Sequence, residues 1–369
     1  MTVRCVVAAV KLDAAGFPGE RVNAPVLRRD AILQALQDST LTVYTTEVPS
    51  SPLTEAAAVH DMKYLDFLQT AWPRWAALEH RDETFYAPGN AKTAGGGSIP
   101  ALVAGYGANR DAAHAPEGLM GQVCYFATDR ETPIFCELAS ALESDVGVSL
   151  AAAKMLCENV EQKGARTPIY AAVTLPGHHA AAANYSGYCY VNHASLIASK
   201  VRDHGGSRRR VAILDVDYHC GDGSMGIFWK DADVLVVSIH CDPNCEYPYT
   251  AGFASQTGDA VQAPGATLCL PLAPRATMAS TYEKALQAAL AKIEAFQPEA
   301  LVVSLGLDAL IWDPVAVPGA GFDLEISDFA TIGRAISQLE LPTCVVQEGG
   351  YDLDRVGPAV REFFRGFLS

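Results

Sequence analysis

Six short apolar runs recur along the 369-residue chain, and each is a block of consecutive hydrophobic residues rather than a regular alternation of hydrophobic and polar ones. Such blocks are typical of strands that are buried on both faces of a parallel sheet. We therefore predict strands at residues 3–7, 169–175, 211–216, 234–239, 301–305 and 343–346.

Segments with helical periodicity separate these runs. The periodicity predicts helices at residues 25–36, 55–70, 136–160, 191–203, 277–296 and 327–339. Alternating strands and helices form right-handed crossovers, which pack helices on both faces of one parallel sheet. The sequence therefore predicts an α/β fold, and no linker, repeat or low-complexity tract divides it.

Residues 81–118 do not fit this alternation. The segment carries the sequence AKTAGGGS at positions 91–98 and has no hydrophobic period. A stretch of this length without an element of its own is typical of a functional or interface insertion. A disordered surface loop is the alternative interpretation.

The composition narrows the class of ligand. Half of the residues are apolar and 19% are charged, and 27 Lys and Arg against 42 Asp and Glu give a net charge of −15. This balance disfavours a nucleic-acid phosphate surface and suits a cationic small molecule or a basic peptide. No apolar run is long enough for a membrane span or a signal-peptide core, so we expect a soluble cytoplasmic protein. Its ten scattered cysteines are expected to be reduced thiols.

Polar residues follow five of the predicted strands. The motifs PGHH, DVDYHCGDG, HCDP, GLD and QEGGY begin at residues 176, 215, 240, 306 and 347. In open α/β sheets ligands bind beyond the carboxyl ends of the strands, so we expect these motifs to share one edge of the sheet. Taken singly, such residues more often anchor loops through hydrogen bonds. Their convergence favours a functional site.

Asp217, His219 and Asp308 form a candidate metal site. Asp217 and His219 are two residues apart at a strand end, which points both side chains to one side of the pleat, and Asp308 arrives from another strand. One imidazole and two carboxylates leave an open position for water, as in catalytic zinc sites. The same ligands also accept Fe²⁺, Mn²⁺ or Co²⁺.

Further residues are candidates for proton chemistry. His178 and His179 lie in a Pro-Gly turn, and neutral imidazoles near a metal-bound water are natural general acids and bases. Asp215 and Asp222 flank the proposed ligands and could fix the imidazole tautomers. Tyr351 follows two glycines, and its phenol either donates to a developing oxyanion or caps a loop.

Taken together, these stretches resemble the histone deacetylase and acetylpolyamine amidohydrolase family, within the superfamily that also contains arginase. The matching motifs are LPGHHA at 175–180, GYCYVN at 187–192, LDVDYH at 214–219, SLGLD at 304–308 and EGGY at 348–351, in the family's order across nearly the whole chain. The resemblance implies a single arginase-like α/β domain over residues 1–369, with a central eight-stranded parallel sheet and helices on both faces.

The resemblance also implies a role for each candidate residue. It implies that Asp217, His219 and Asp308 are the zinc ligands. It implies that His178 and His179 are the tandem catalytic histidines, with Asp215 and Asp222 as their respective carboxylate partners. It also implies that the phenol of Tyr351 polarises the acyl carbonyl. Tyr188 matches an aromatic wall of the acyl tunnel. A structural K⁺ is implied near Asp215, Ser238 and the main-chain carbonyls there.

Two departures from the family pattern concern Cys220 and the substrate. The family usually has a second His after the ligating one, where this chain has Cys220, which is either a small buried hydrophobe or a redox-sensitive thiol. Residues 121–132 resemble the loop with which acetylpolyamine amidohydrolases recognise a distal ammonium and build their dimer. Glu131 matches one acidic position of that loop, whereas Met120 occupies another.

These observations lead to one functional hypothesis with alternatives. We expect a zinc-dependent amidohydrolase that removes acetyl or other short acyl groups from a cationic amine, an acetylpolyamine. The insertion at 81–118 is expected to build a homodimer and to narrow the active-site mouth. The alternatives are a lysine deacetylase acting on proteins, a deacetylase-like binding module without turnover, and an arginase-like dinuclear hydrolase, which would need further carboxylate and His ligands.

Overall fold

One parallel sheet organises the molecule. The computed structural model describes residues 2–9, 25–78, 99, 115–162, 164, 166–317 and 321–369. Its strands are Thr2–Ala8 (β1), Thr42–Val48 (β2), Ile169–Ala171 (β3), Val211–Asp215 (β4), Val234–Cys241 (β5), Thr267–Leu272 (β6), Ala300–Leu305 (β7) and Thr343–Gln347 (β8). They pair in parallel in the order β2-β1-β3-β8-β7-β4-β5-β6. The expected eight-stranded parallel sheet is confirmed.

The six predicted strands are present, and the two strands that were not predicted lie at the two edges of the sheet. Strand β2 has the sequence TVYTTEV and is largely exposed, and β6 contains Pro271. An edge strand pairs along one side only, so polar residues and proline are tolerated there. The predicted strand 169–175 ends early, at Ala171. Beyond it, the backbone N–H groups of Thr174 and Leu175 donate to the buried carboxylate of Asp145 instead of to a neighbouring strand.

Helices cover both faces of the sheet. They are Pro25–Gln37 (α1), Met62–Ala76 (α2), Leu119–Phe126 (α3), Leu138–Glu161 (α4), His193–Arg202 (α5), Asp222–Phe228 (α6), Glu283–Phe296 (α7), Ile326–Ser337 (α8) and Val356–Phe367 (α9). The predicted single helix at 55–70 is wrong, because a 3₁₀ turn at Leu53–Ala58 ends before Asp61 caps α2 by accepting the N–H groups of Lys63 and Tyr64.

Two hydrophobic cores lie on opposite faces of the sheet. Alternate residues of β4 contribute to each of them, with Val211 and Ile213 in one core and Ala212 and Leu214 in the other. Helices α2, α4 and α5 pack on the first core, and α1, α7, α8 and α9 pack on the second. This double coverage explains why the central strands are continuous apolar runs.

Three further expectations concern the chain outside the sheet. The insertion at 81–118 lies almost entirely outside the described residues, apart from Ile99, which bridges to Ile134, and residues 115–118, which lead into α3. Within the described ranges, no helix combines the length and the apolar character that a membrane crossing needs. All ten cysteines fall within these ranges, and none of them forms a disulfide bond in the structure.

Candidate active site

The carboxyl ends of neighbouring strands converge on one site. Asp217 and His219 follow β4, Asp308 follows β7, and Glu348 follows β8, and these three strands are adjacent in the sheet. All four side chains are buried. Because the strands are parallel, their carboxyl ends meet at one edge, and residues that are far apart in sequence become neighbours.

The predicted metal ligands form a compact cluster. Asp217, His219 and Asp308 each present one ligand atom, and these atoms lie within 4.8 Å of one another. His219 Nδ1 is 3.1 Å from Asp308 Oδ2 and 3.3 Å from Asp217 Oδ1. Burial opposes charge on this imidazole, but the hydrogen bonds to Asp217 and Asp308 raise the pKa of His219 to about 10.

This cluster fits a divalent cation. Two buried carboxylates need a positive partner, because an uncompensated buried charge is strongly unfavourable. The same two carboxylates favour a proton on His219, which is why the pKa of this imidazole is raised. A cation held by one imidazole and two carboxylates would supply the missing charge, and this donor set suits zinc and the neighbouring transition metals.

Gly349 allows the backbone to reach this cluster. Its N–H donates to Asp217 Oδ2 over 2.9 Å. A Cβ atom at this position would lie 2.3 Å from Asp308 Oδ2 and 2.8 Å from Asp217 Oδ2, closer than real contacts allow. A side chain at residue 349 would therefore push the two carboxylates apart.

The tandem histidines lie beside the cluster with the carboxylate partners expected for them. His178 Nδ1 is 2.9 Å from Asp215 Oδ2, and His179 Nδ1 is 2.7 Å from Asp222 Oδ1. Their rings are 4.0 Å apart between centroids. The partners differ in solvation, since Asp215 is fully buried and the side chain of Asp222 is 26% exposed.

The two imidazoles titrate in opposite directions. Burial opposes charge on both, but Asp217 and Asp215 hold the pKa of His178 well above its usual range. Burial and the neighbouring charge on His178 lower the pKa of His179 to about 4, despite its hydrogen bond to Asp222. The pKa values of the two histidines are therefore pushed apart, which is typical of paired acid and base groups.

Tyr351 is held from two sides next to this centre. Its backbone N–H donates to Asp313 Oδ2 over 2.8 Å, and the guanidinium carbon of Arg28 lies 5.6 Å from its ring centroid. Burial raises the pKa of Tyr351 well above its usual value, so the phenol stays protonated and can donate a hydrogen bond. Asp313 and Arg28 were not predicted, although a pair of arginines on the buried face of a helix is a signal that could have been noticed.

Two tyrosines pack beside this centre, of which one was predicted and one was not. The ring of Tyr188 is 6.0 Å from that of Tyr351. Tyr247 packs its ring 4.9 Å from His179 and 6.3 Å from His219. Tyr247 lies in the irregular segment after β5, where no hydrophobic period marks a wall residue in advance.

The remaining candidates differ in exposure. Glu131 is exposed, and Met120 is half-buried against the hydrophobic core. Cys220 is buried, with its Sγ 3.5 Å from Met225 Sδ. A hydrogen bond with Cys269 and burial raise its pKa well above the usual value, which fits the interpretation as a small hydrophobe rather than a reactive thiolate. Ser238 pairs in register with Asp215 and lies 2.8 Å from His240 Nδ1 through its Oγ.

Comparisons with known proteins show which family and which fold the chain resembles. A family described as "Histone deacetylase domain" matches residues 24–367. Acetylpolyamine amidohydrolase 1 of Pseudomonas aeruginosa is 36% identical over 309 residues, covering 84% of this chain and 81% of the relative. Acetylpolyamine amidohydrolase of Mycoplana ramosa is 33% identical over 308 residues, covering 84% and 81%. The solved structure of acetylpolyamine aminohydrolase from Burkholderia pseudomallei superposes with a TM-score of 0.80 at 27% identity, covering 100% of this chain and 99% of that one.

Proposed function

The chain belongs to the histone deacetylase family, and we propose that it is a metal-dependent amidohydrolase that removes acetyl or other short acyl groups from a cationic amine, an acetylpolyamine. The observation that carries the chemistry is the buried Asp217, His219 and Asp308 cluster beside a histidine pair with divergent pKa values. The relatives named acetylpolyamine amidohydrolases support the substrate class.

In this proposal Asp217, His219 and Asp308 hold the catalytic cation. Zinc is the expected ion, with Fe²⁺, Mn²⁺ or Co²⁺ as alternatives that the same ligands accept. Such a cation supplies Lewis acidity toward the acyl carbonyl and the attacking water. A structural K⁺ near Asp215 and Ser238 is a further proposal, and it rests on the family resemblance.

The protein's own groups manage protons and orientation. Neutral His179 accepts the proton of the attacking water and passes it to the nitrogen of the leaving amine, with Asp222 fixing its tautomer. His178, paired with Asp215, gives electrostatic support to the acyl group as negative charge develops on its oxygen. The phenol of Tyr351 donates a hydrogen bond to the same oxygen.

Charge supports a cationic amine as the leaving group. The chain has a net charge of −15, which favours the approach of polyamines. We propose that Glu131 contributes to recognition of a distal ammonium, as the family resemblance implies. We also propose that residues 81–118 build a homodimer, which would narrow the entrance to the site and disfavour a protein substrate. A separate proposal is that residues 1–369 form one domain around the sheet.

Turnover of a matched substrate panel tests this proposal. Zinc-loaded enzyme is given acetylputrescine, acetylcadaverine, acetylspermidine, an acetyl-lysine peptide and longer acyl analogues, and release of free amine is measured. We expect the acetylpolyamines to have the highest kcat/KM. A preference for the peptide would favour the lysine deacetylase alternative, and absence of turnover of every substrate would favour a binding module. Light scattering at micromolar concentration tests the homodimer, and a strictly monomeric protein would contradict it.

A further inference from the structure

A tight turn at Ser186–Cys189 carries the wall residue Tyr188. Ser186 and Cys189 exchange both backbone hydrogen bonds, at 3.2 Å and 2.8 Å. The two residues between them have positive φ angles, 55° at Gly187 and 63° at Tyr188. A tyrosine in the left-handed region is unfavourable by itself, so the surrounding structure must hold it there.

Two side chains from a different segment hold this turn. Thr132 Oγ accepts the backbone N–H of Tyr188 over 2.9 Å, and Asp129 Oδ2 accepts the backbone N–H of Gly187. Asp129 and Thr132 also hold each other, since Thr132 Oγ donates to Asp129 Oδ2 over 2.8 Å. Asp129 precedes Gly187 by 58 residues, so this is a long-range clamp rather than a local turn.

The Asp129 carboxylate has no remaining capacity for a ligand. Its Oδ1 accepts the backbone N–H groups of Glu131 and Thr132, at 3.0 Å and 2.9 Å, and its Oδ2 accepts from Thr132 Oγ and Gly187. A carboxylate offers about four acceptor positions, and all four are occupied here. The acceptor positions of Asp129 are therefore used by hydrogen bonds within the protein, and none is left for a substrate ammonium.

The clamped turn packs directly against the proposed catalytic residues. A Cβ atom on Gly187 would lie 2.2 Å from Cδ2 of His179, so the turn backbone touches that imidazole. The ring of Tyr188 faces the ring of Tyr351 at 6.0 Å. A shift of the turn would therefore move the aromatic wall and the surroundings of the proton-transferring histidine together.

We propose that Asp129 and Thr132 are positioning residues that hold Tyr188 in its left-handed conformation and thereby shape the substrate tunnel. The same carboxylate anchors the backbone of Glu131, so the segment expected to sense the ammonium and the wall that contacts the acyl group form one unit. This inference rests on the proposed amidohydrolase function.

A double-mutant cycle between Thr132 and Tyr188 tests the proposal. Thr132→Val keeps the shape of the side chain but removes the hydroxyl, whereas Thr132→Ser keeps the hydroxyl and serves as the matched control. We expect Thr132→Val to lower kcat/KM by about tenfold, mainly through KM, and Thr132→Ser to retain more than half of the wild-type value. In a Tyr188→Ala background, Thr132→Val should raise KM by much less than it does in the wild type, because the ring that it positions is gone. Independent, multiplicative losses, or equal losses in the Val and Ser variants, would overturn the proposal.

Amide hydrogen exchange gives a readout that does not depend on catalysis. The backbone amides of Gly187 and Tyr188 should exchange slowly in the wild type. Exchange should be at least tenfold faster at Tyr188 in Thr132→Val and at Gly187 in Asp129→Asn, with the strand amides of β4 and β7 unchanged. If the wild type fails to hydrolyse every acylated amine while this pattern is seen, the proposed function fails and the clamp stands. Unchanged exchange at both residues would contradict the clamp whatever the enzyme hydrolyses.

Discussion

Two regions of the site differ in how the fold builds them. We call the buried cluster of His178, His179, Asp217, His219 and Asp308 the floor, and the segments 129–132 and 186–189 the mouth. The floor residues follow strands of the central sheet and are all buried. The mouth lies outside the sheet, holds a tyrosine at positive φ and carries exposed Glu131.

This difference separates chemistry from selection. The floor concentrates charges in a water-poor environment, where electrostatic interactions are strong and small displacements matter. The mouth is partly solvated, so a charge on an exposed side chain there, such as Glu131, acts more weakly. We therefore expect changes at the floor to abolish turnover and changes at the mouth to alter the choice of substrate.

Removal of a proposed ligand should have the largest effect. Asp308→Ala deletes one of two carboxylates in the cluster, so we expect loss of stoichiometric metal and a fall in activity well beyond the ~10–100-fold typical of losing an outer partner of a metal ligand. Metal content after dialysis and kcat/KM are the measurements, with Asp66→Ala on the exposed face of α2 as the control. If Asp308→Ala retains stoichiometric metal, the assignment of Asp308 as a ligand is wrong.

Removal of one phenol should have the next largest effect. Tyr351→Phe keeps the ring against Arg28 but deletes the proposed oxyanion donor. Loss of such a donor commonly lowers kcat by ~10²–10³-fold, so turnover should fall by this factor while metal content and KM change little. Tyr351→Phe with near-native kcat would remove the phenol from the mechanism, and a large rise in KM would indicate a binding role instead.

The contrast between floor and mouth also explains what the sequence could predict. Strand-end residues such as Asp217 and Asp308 follow continuous apolar runs, so the local pattern and the order of the strands predict that they lie at one edge of the sheet. Asp129 and Tyr247 lie in irregular segments, and their contacts with Gly187 and His179 depend on tertiary structure. The edge strands β2 and β6 were not predicted for a related reason, because a strand with one free edge needs no continuous apolar run.

The buried carboxylate of Asp145 should make the free energy of unfolding depend on pH. Asp145 accepts the N–H groups of Thr174 and Leu175 just before the tandem histidines, and burial raises its pKa to about 6. Between pH ~4 and ~6 the folded protein keeps a proton that the unfolded chain releases, so this group's contribution to the free energy of unfolding falls as pH rises. The full decrease, from below both pKa values to above both, is about 3 kcal/mol from the pKa difference.

Urea unfolding of the wild type and Asp145→Asn from pH 4 to pH 7 measures this contribution. The amide does not titrate, so the free energy of unfolding of the wild type relative to the variant should decrease by about 2 kcal/mol over this range. Taking the difference between the two proteins cancels the titration of their shared groups. Parallel pH profiles for the two proteins would show that Asp145 is ionised in the folded protein throughout.

The smallest effect is expected at the mouth, from Glu131. Its side chain is exposed while its backbone is fixed by Asp129. An exposed ion pair contributes only ~0.2–1 kcal/mol, so Glu131→Gln should raise KM for acetylcadaverine by no more than about fivefold and leave kcat unchanged. The effect should shrink as ionic strength rises, because salt screens exposed charges, and a neutral isostere of the substrate should not respond to the substitution. Glu283→Gln, an exposed acid at the start of α7, controls for the loss of one negative charge from the whole protein.

An equal change in kcat/KM for the charged and neutral substrates would mean that Glu131 does not recognise the ammonium. A change of a hundredfold or more, confined to the charged substrate, would mean that substrate binding buries this carboxylate, and the mouth would then resemble the floor in its electrostatics.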